Sequence, residues 1–221
     1  MFDDIAPRYD FLNQLLSLGI HKGWRKKAIG LLQTKQPRTI LDIATGTADF
    51  AIEAMRLKPD KVTGVDISAG MLKLGKEKIK KKGLENKIEL TLADSENLPF
   101  VDNQFDAITV GFGVRNFEHL EKGISDMYRV LKPGGTMVIL EFSKPRMFPV
   151  KQLYKIYFRY VTPFIVKLFS KNNAAYTYLP ESVNAFPDGE NFLNVLRKVG
   201  LKKASVILLS FGIASIYIAE K

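Results

Sequence analysis

The sequence predicts an α/β fold with a mostly parallel sheet and helices on both faces. Three observations carry that expectation. From residue 39 onward, short apolar strands alternate with helical patterns. Two successive strands, Thr39-Ile40-Leu41-Asp42-Ile43 and Lys61-Val62-Thr63-Gly64-Val65-Asp66, each carry an acid at or near their ends. Between the first strand and the first helix of the alternation lies a turn of small residues, Ala44-Thr45-Gly46-Thr47-Ala48.

Residues 1–36 read as a helical N-terminal cap, with Phe11, Leu12, Leu15, Leu16 and Leu18 as its apolar set and Gly19 and Gly23 as interruptions. A short helix from Trp24 to Leu32 follows, and Pro37 closes it. Strands are expected at 39–43, 61–66, 87–92, 105–111 and 135–142, and helices at 48–58, 68–82 and 118–130. Lys132-Pro133-Gly134-Gly135 reads as the turn before the fifth strand. Residues 143–190 break the alternation and read as an inserted cap. In it, Leu153 to Phe169 is aromatic and aliphatic, and Lys151, Lys155 and Arg159 recur at four-residue spacing, a basic stripe if helical. Pro163 ends or kinks that helix. A last helix at 190–199 precedes two strands, 203–210 and 212–219, joined at Phe211-Gly212 as an antiparallel C-terminal hairpin. The whole chain, 1–221, is expected to form one domain.

The length suffices for one α/β domain with a sizeable core, and the 46% hydrophobic and 25% charged contents are ordinary for a globular protein. No cysteine is present, which excludes disulfides, thiolate metal sites and a cysteine nucleophile. The two histidines, His21 and His119, are too few for a histidine-built centre, so no metal is expected. No signal peptide and no apolar run of membrane-spanning length is visible, so the expected compartment is the cytoplasm. A net charge of +10 suits an anionic membrane surface or a nucleic acid. Part of it is the run Lys73, Lys76, Lys78, Lys80, Lys81, Lys82 and Lys87, which spreads over several helical faces and reads as a solvated exterior.

The turn after the first strand carries chemistry. Small residues let a ligand approach the backbone, and a helix start offers free N–H groups. An acid at the tip of the next strand can accept two hydrogen bonds from a ribose diol. A dinucleotide site wants G-x-G-x-x-G, with pyrophosphate on the helix N-terminus. Here the small residues Ala44, Gly46 and Ala48 are spaced by two, and Thr47 projects where a phosphate needs room. That favours a nucleoside without phosphates, of which S-adenosylmethionine is the common one. Asp66 is read as the ribose acceptor with Ile67 beside it. Asp94 and Ser95, after the third strand, are read at the adenine amine. Asp42 is placed under the turn, accepting backbone N–H groups or reaching the cofactor ammonium.

The fourth strand ends in Gly111-Phe112-Gly113-Val114-Arg115-Asn116-Phe117, where the transferable methyl should meet the substrate. The Asn/Asp-Pro-Pro-aromatic motif of base-amine methylation is absent. Arg115 and Asn116 offer a fixed cation and an amide, which suit a phenolate or quinol oxygen. Their alternative reading is a helix cap with a salt bridge. The missing Pro-Pro motif, the missing cysteine and the greasy insert argue against a nucleic-acid partner.

Several segments together resemble the demethylmenaquinone and ubiquinone-pathway C-methyltransferase family. They are residues 1–10, Leu41 to Asp49, Asn97-Leu98-Pro99-Phe100, Gly111 to Asn116, Arg129 to Gly135, Glu141 to Pro145, Tyr176 to Ser182 and Phe186-Pro187. The resemblance spans essentially the whole chain and implies a class I, Rossmann-like S-adenosylmethionine-dependent fold. It further implies methylation of a ring carbon on a polyprenylated quinol, with demethylmenaquinol favoured. Family cofactor positions fall on Thr47, Asp66 and the pair Asp94-Ser95. Gly111 stands where some members carry Ser. Arg115 with Asn116 is expected to stabilise the oxyanion, and Tyr9 or Tyr178 to bond the ring oxygens. The insert would enclose the prenyl tail, its stripe resting on anionic lipid. A homodimer is among the assemblies the sequence allows.

Overall fold

The computed structural model describes residues 19–157 and 174–221. Phe11 to Leu18, Tyr9, Arg159 and Pro163 lie outside them, as do the side chains of Lys155 and Tyr178. The described elements are α1 (Ile20–Gly30), β1 (Thr39–Ile43), α2 (Asp49–Ala54), β2 (Lys61–Asp66), α3 (Ala69–Lys81), β3 (Ile88–Leu92), β4 (Phe105–Gly111), α4 (Leu120–Val130) and β5 (Leu131–Phe142). They continue with α5 (Val150–Ile156), α6 (Ala174–Ala185), α7 (Glu190–Val199), β6 (Lys202–Leu209) and β7 (Ala214–Glu220).

Seven strands form one sheet in the order β3-β2-β1-β4-β5-β7-β6. β1 to β5 run parallel, and β7 lies antiparallel between β5 and β6. The expected α/β sheet with an antiparallel C-terminal strand is therefore present. Alternation along the strands divides the core into two layers. Leu41, Ile43, Ile108, Val110, Met137 and Ile139 face α4 and α7, burying Ile124, Met127, Phe192 and Leu196. Ile40, Val62, Ala107, Val138, Leu140 and Ile216 face the other way, toward Trp24, Ala28 and Ile29 of α1 and Phe50 of α2. Residues 20–30 of the expected N-terminal cap are thus a sheet-covering helix.

Three boundaries differ from expectation. The helix expected from Trp24 to Leu32 is α1, which starts at Ile20, runs through Gly23 rather than being interrupted there, and ends at Gly30. The helix expected over 48–58 is α2 followed by a 3₁₀ turn, Met55–Leu57, because Lys58 adopts φ 55° ahead of Pro59. The Lys132–Gly135 turn is absorbed as a bulge inside β5: Leu131 pairs with Phe105, and Thr136 already pairs with Ala107. Gly134 supplies φ 76° there. Arg129 then pins the loop 97–102 against α4, with Nη1 donating to the Phe100 carbonyl at 2.6 Å and Nη2 to that of Leu98 at 3.0 Å.

Candidate active site

The candidate site lies at the carboxyl ends of β1, β2 and β4, where the strand order reverses on either side of β1. The small residues spaced by two have a backbone reason: Ala44, Gly46 and Ala48 all adopt left-handed φ, at 51°, 55° and 66°. A bulky residue at any of them would be strained. A Cβ on Gly46 would meet nothing within 4 Å, so the space over this turn is open to a ligand. The turn is fixed from below, since the Thr45 N–H donates to the Val65 carbonyl at 2.9 Å. Gly64 makes room for it, because a Cβ there would lie 2.8 Å from Thr45 Oγ1 and 2.6 Å from Leu90 Cδ2.

Asp66 ends β2 half-buried beside the turn. Its Oδ2 accepts the Gly46 N–H at 2.8 Å and its Oδ1 the Ser68 N–H at 2.9 Å. These bonds orient the carboxylate at the edge of the turn. Ser68 caps α3 by accepting the Met71 N–H at 3.1 Å, as its position predicts. Ile67 is 66% exposed and Leu92, across from Asp66 in the register, is 60% exposed. They offer apolar surface beside the acid. Asp94 is exposed, with Oδ1 accepting the Glu96 N–H at 2.9 Å, and Ser95 follows it half-buried.

Asp42 is fully buried beneath the turn. The hydroxyls of Thr45 and Thr109 donate to it at 2.6 and 2.7 Å. Burial raises its carboxyl to about 6, against the lowering effect of those two hydroxyls. Of the two roles expected for Asp42, the position under the turn is the one the geometry displays, with hydroxyls of two threonines as its side-chain partners. Thr47 is buried, and its hydroxyl accepts from Lys78 Nζ at 2.9 Å. Lys78 also bonds Asp49 Oδ1 at 2.6 Å. The lysine run is otherwise solvated as expected, but Lys78 is turned inward to brace the start of α2. Burial of Asp49 raises its carboxyl, and the neighbouring Arg25 and Lys78 outweigh that and hold it below the ordinary value. Gly111 is a packing requirement, since a Cβ there would lie 2.9 Å from Phe50 Cδ1.

Beyond β4 the chain turns sharply. Phe112 takes φ 59°, held by its N–H to the Leu140 carbonyl at 2.7 Å. Gly113 packs on Ala44, whose Cβ would be 2.5 Å from a Cβ added there. A 3₁₀ turn, Val114–Asn116, then carries Arg115 and Asn116. Arg115 is 9% exposed and not a free cation: Nη1 lies 2.8 Å from Oε1 of the fully buried Glu141 and also donates to the Phe112 carbonyl at 2.5 Å. Its guanidinium carbon sits 5.5 Å from the centroid of Phe142, which packs with Phe112 and Trp24. The salt-bridge reading of Arg115 is therefore realised. On this turn two buried polar atoms have no hydrogen-bond partner among the described residues: Arg115 Nε and Asn116 Oδ1.

Glu141 and Tyr154 escaped sequence reasoning. Burial pushes the phenol of Tyr154, on α5, up, and the Arg115 charge acts on it in the opposite sense. Tyr9 and the Tyr178 side chain lie outside the described residues. His119 is exposed and bonded to Glu96 at 2.9 Å.

The family model described as the ubiE/COQ5 methyltransferase family matches residues 1–221. The chain is 53% identical to the demethylmenaquinone methyltransferase of Bacteroides fragilis, covering 100% of this chain and 91% of that protein. It is 47% identical to the ubiquinone/menaquinone biosynthesis C-methyltransferase of Geotalea daltonii, over 100% and 94% respectively. Among solved structures, a Methanococcus maripaludis protein assigned as S-adenosylmethionine-dependent methyltransferase superposes with a TM-score of 0.70 at 20% identity, covering 100% and 94%. That likeness establishes the fold alone.

Proposed function

Since this chain belongs to the ubiE/COQ5 methyltransferase family, we propose that it methylates a ring carbon of a polyprenylated quinol, with demethylmenaquinol as the substrate. It is an S-adenosylmethionine-dependent C-methyltransferase. The observation that carries the substrate assignment is the likeness over the full chain to proteins named demethylmenaquinone methyltransferase. The ubiquinone-pathway precursor is the second reading, favoured by relatives whose names include both quinones.

The residues present fit the cofactor. The left-handed turn leaves open space over Gly46, the Asp66 carboxylate is oriented beside it by the Gly46 and Ser68 N–H groups, as a ribose-binding acid must be, and Ile67 and Leu92 supply apolar surface for a base. Asp94 and Ser95 stand at the neighbouring strand end. Thr47 acts through its bond to Lys78, which braces the turn. When bound, S-adenosylmethionine supplies a methyl group already activated on sulfonium.

The enzyme must then make the acceptor carbon nucleophilic and align it. A quinol carbon is nucleophilic beside a deprotonated hydroxyl. Arg115 Nε–H faces that oxygen as donor and Asn116 Oδ1 accepts from the neutral hydroxyl, which accounts for two buried polar atoms without a partner among the described residues. Tyr154 lies within reach of the Arg115 charge. The cofactor would supply the methyl as an electrophile and leave as a neutral thioether that keeps the C–S electron pair, the ring carbon supplying the pair for the new C–C bond. Loss of the ring proton to solvent or a base restores the aromatic quinol. An oxidised quinone lacks the electron-rich carbon and does not react.

The substrate tail belongs to a bilayer, and the insert fits a peripheral contact with it. Met147, Phe148, Leu153 and Ile156 are large apolar residues more than half exposed, beside the exposed Arg146 and Lys151. Among the described residues no helix is long and apolar enough to cross a membrane. The decisive experiment is transfer of labelled methyl to chemically reduced demethylmenaquinol in mild detergent, beside a reduced ubiquinone precursor and the oxidised quinone. Label entering the organic extract from the reduced naphthoquinol alone supports the first reading. Label from neither quinol overturns both.

A further inference from the structure

Glu141 is an ionisable residue with no exposed surface on the penultimate position of β5. A lone carboxylate there would carry a large desolvation penalty. It is met by three donors: Arg115 Nη1 at 2.8 Å, the Arg115 N–H at 3.3 Å and the Phe142 N–H at 2.8 Å. The guanidinium is thereby held from several sides, by Glu141 and the Phe112 carbonyl on Nη1 and by the Phe142 ring beside it. Among the described residues Arg115 Nε–H is left as a donor, and Asn116 Oδ1, one residue on, as an acceptor.

We infer that Glu141 is a positioning residue for methyl transfer: it fixes Arg115 so that Nε–H meets the quinol oxygen, and its counter-charge sets how readily that oxygen ionises. This rests on the quinol reading above. With the pair intact the site is close to neutral, so it accepts a neutral quinol and gives the developing phenolate a directed hydrogen bond. A free guanidinium would instead lower the phenol further and attract aromatic anions that cannot react.

The other groups around the pair do not compete for the titration. Tyr154 of α5 and Tyr217 of β7 are both pushed up by burial, Tyr217 to about 12. Asp188, which with Glu141 acts on Tyr217, is paired with Lys144 and Arg146.

The test compares the wild type with Glu141→Gln and Glu141→Asp, using the full chain, anaerobically, on a reduced quinol with a short prenyl tail. The pH profile of kcat reports ionisations in the enzyme–substrate complex. A charge at this range shifts a neighbour by roughly 1–3 pH units. The ascending limb of Glu141→Gln should therefore move to lower pH by about one unit or more. Glu141→Asp keeps the charge, so its limb stays at the wild-type pH while kcat falls, because the shorter side chain reaches Nη1 less well. A dihydroxybenzoate, followed by calorimetry, should bind Glu141→Gln about tenfold tighter than wild type, the equivalent of one such unit.

The inference is overturned if the Glu141→Gln limb stays in place while kcat, cofactor affinity and melting temperature fall together, since that is a purely structural role. A displaced limb in Glu141→Asp overturns it too, and that variant decides the matter should Glu141→Gln fail to fold. Dihydroxybenzoate binding needs no turnover. A wild type that methylates no reduced quinol therefore sinks the substrate reading, and equal binding to wild type and Glu141→Gln sinks the role of Glu141.

Discussion

Arg115 Nη1 lies 2.8 Å from Oε1 of Glu141, a carboxylate that is completely buried. Arg115→Ala would leave that charge without its partner. Breaking a buried pair from one side costs about 3–5 kcal/mol, or roughly 6–20 °C in melting temperature for a chain of this size. Turnover should be lost while cofactor affinity in the folded fraction changes far less. The double change Arg115→Met with Glu141→Leu should recover most of the melting temperature but none of the turnover. Equal loss of turnover and cofactor affinity in Arg115→Ala would remove Arg115 from the reacting end of the site.

Asp66 predicts a binding effect. Its carboxylate is oriented by the Gly46 and Ser68 N–H groups at 2.8 and 2.9 Å. Asp66→Asn keeps one acceptor oxygen and loses the charge. Hydrogen bonds to charged groups contribute about 1.5–3 kcal/mol, so affinity for S-adenosylmethionine should fall on the order of tenfold to a hundredfold by calorimetry. kcat at saturating cofactor should change little. An unchanged affinity with a lowered melting temperature would make Asp66 a strut of the turn and nothing more.

Gly64 and Gly30 form a matched pair of tests. A Cβ at Gly64 would press into Leu90 Cδ2 at 2.6 Å and Thr45 Oγ1 at 2.8 Å, whereas one at Gly30 meets nothing within 4 Å. Gly64→Ala should cost about 1–3 kcal/mol by overpacking and weaken cofactor binding, because the displaced neighbour is the turn itself. Gly30→Ala, at the end of α1, should be neutral or stabilising by up to about 1 kcal/mol. Thermal melts with and without cofactor check both.

How legible the molecule was depends on sequence distance. The two acid-bearing strands and the small-residue turn are local patterns, and the structure gives the turn a backbone reason in its left-handed φ values at Ala44, Gly46 and Ala48. What lay hidden needs the sheet order. Asp42 meets Thr109 because β1 and β4 are neighbours with those residues in register. Arg115 meets Glu141 because β4 runs beside β5, with Gly111 opposite Leu140. Neither pairing has a sequence period. Lys78 was concealed differently: its neighbours Lys73, Lys76, Lys80, Lys81 and Lys82 are all exposed, so composition gave no reason to single out the one that folds back on Thr47 and Asp49.

Asp42 predicts a pH dependence of stability. Burial raises its folded-state carboxyl to about 6, above the ordinary 3.8. Between those values the folded state binds more protons than the unfolded one, so stability falls as pH rises. The contribution is fully present below 3.8 and lost as pH passes through about 6. A shift of this size corresponds to about 3 kcal/mol. Asp42→Asn cannot titrate, and denaturant unfolding at a series of pH values should show that part of the slope removed. Parallel slopes in the two proteins would show that Asp42 ionises normally.

The proposed membrane contact makes a prediction in salt. Met147 and Phe148 are 63% and 80% exposed, Leu153 and Ile156 are 61% and 52% exposed, and the Arg146 side chain is 75% exposed. Exposed apolar groups gain by entering the lipid interface, and a Lys or Arg near an anionic surface adds about 1 kcal/mol. The chain should therefore float with anionic liposomes at low salt, float less at high salt and float poorly with zwitterionic ones. Replacing Arg146 and Lys151 together by Gln removes two charges, so retention should drop roughly tenfold or more at low salt. Phe148→Ser should weaken binding to both vesicle types, because its contribution is apolar. A protein that stays at the bottom of the gradient with anionic vesicles at low salt has no such docking face, and the quinol must then be delivered to the site from solution or by a carrier.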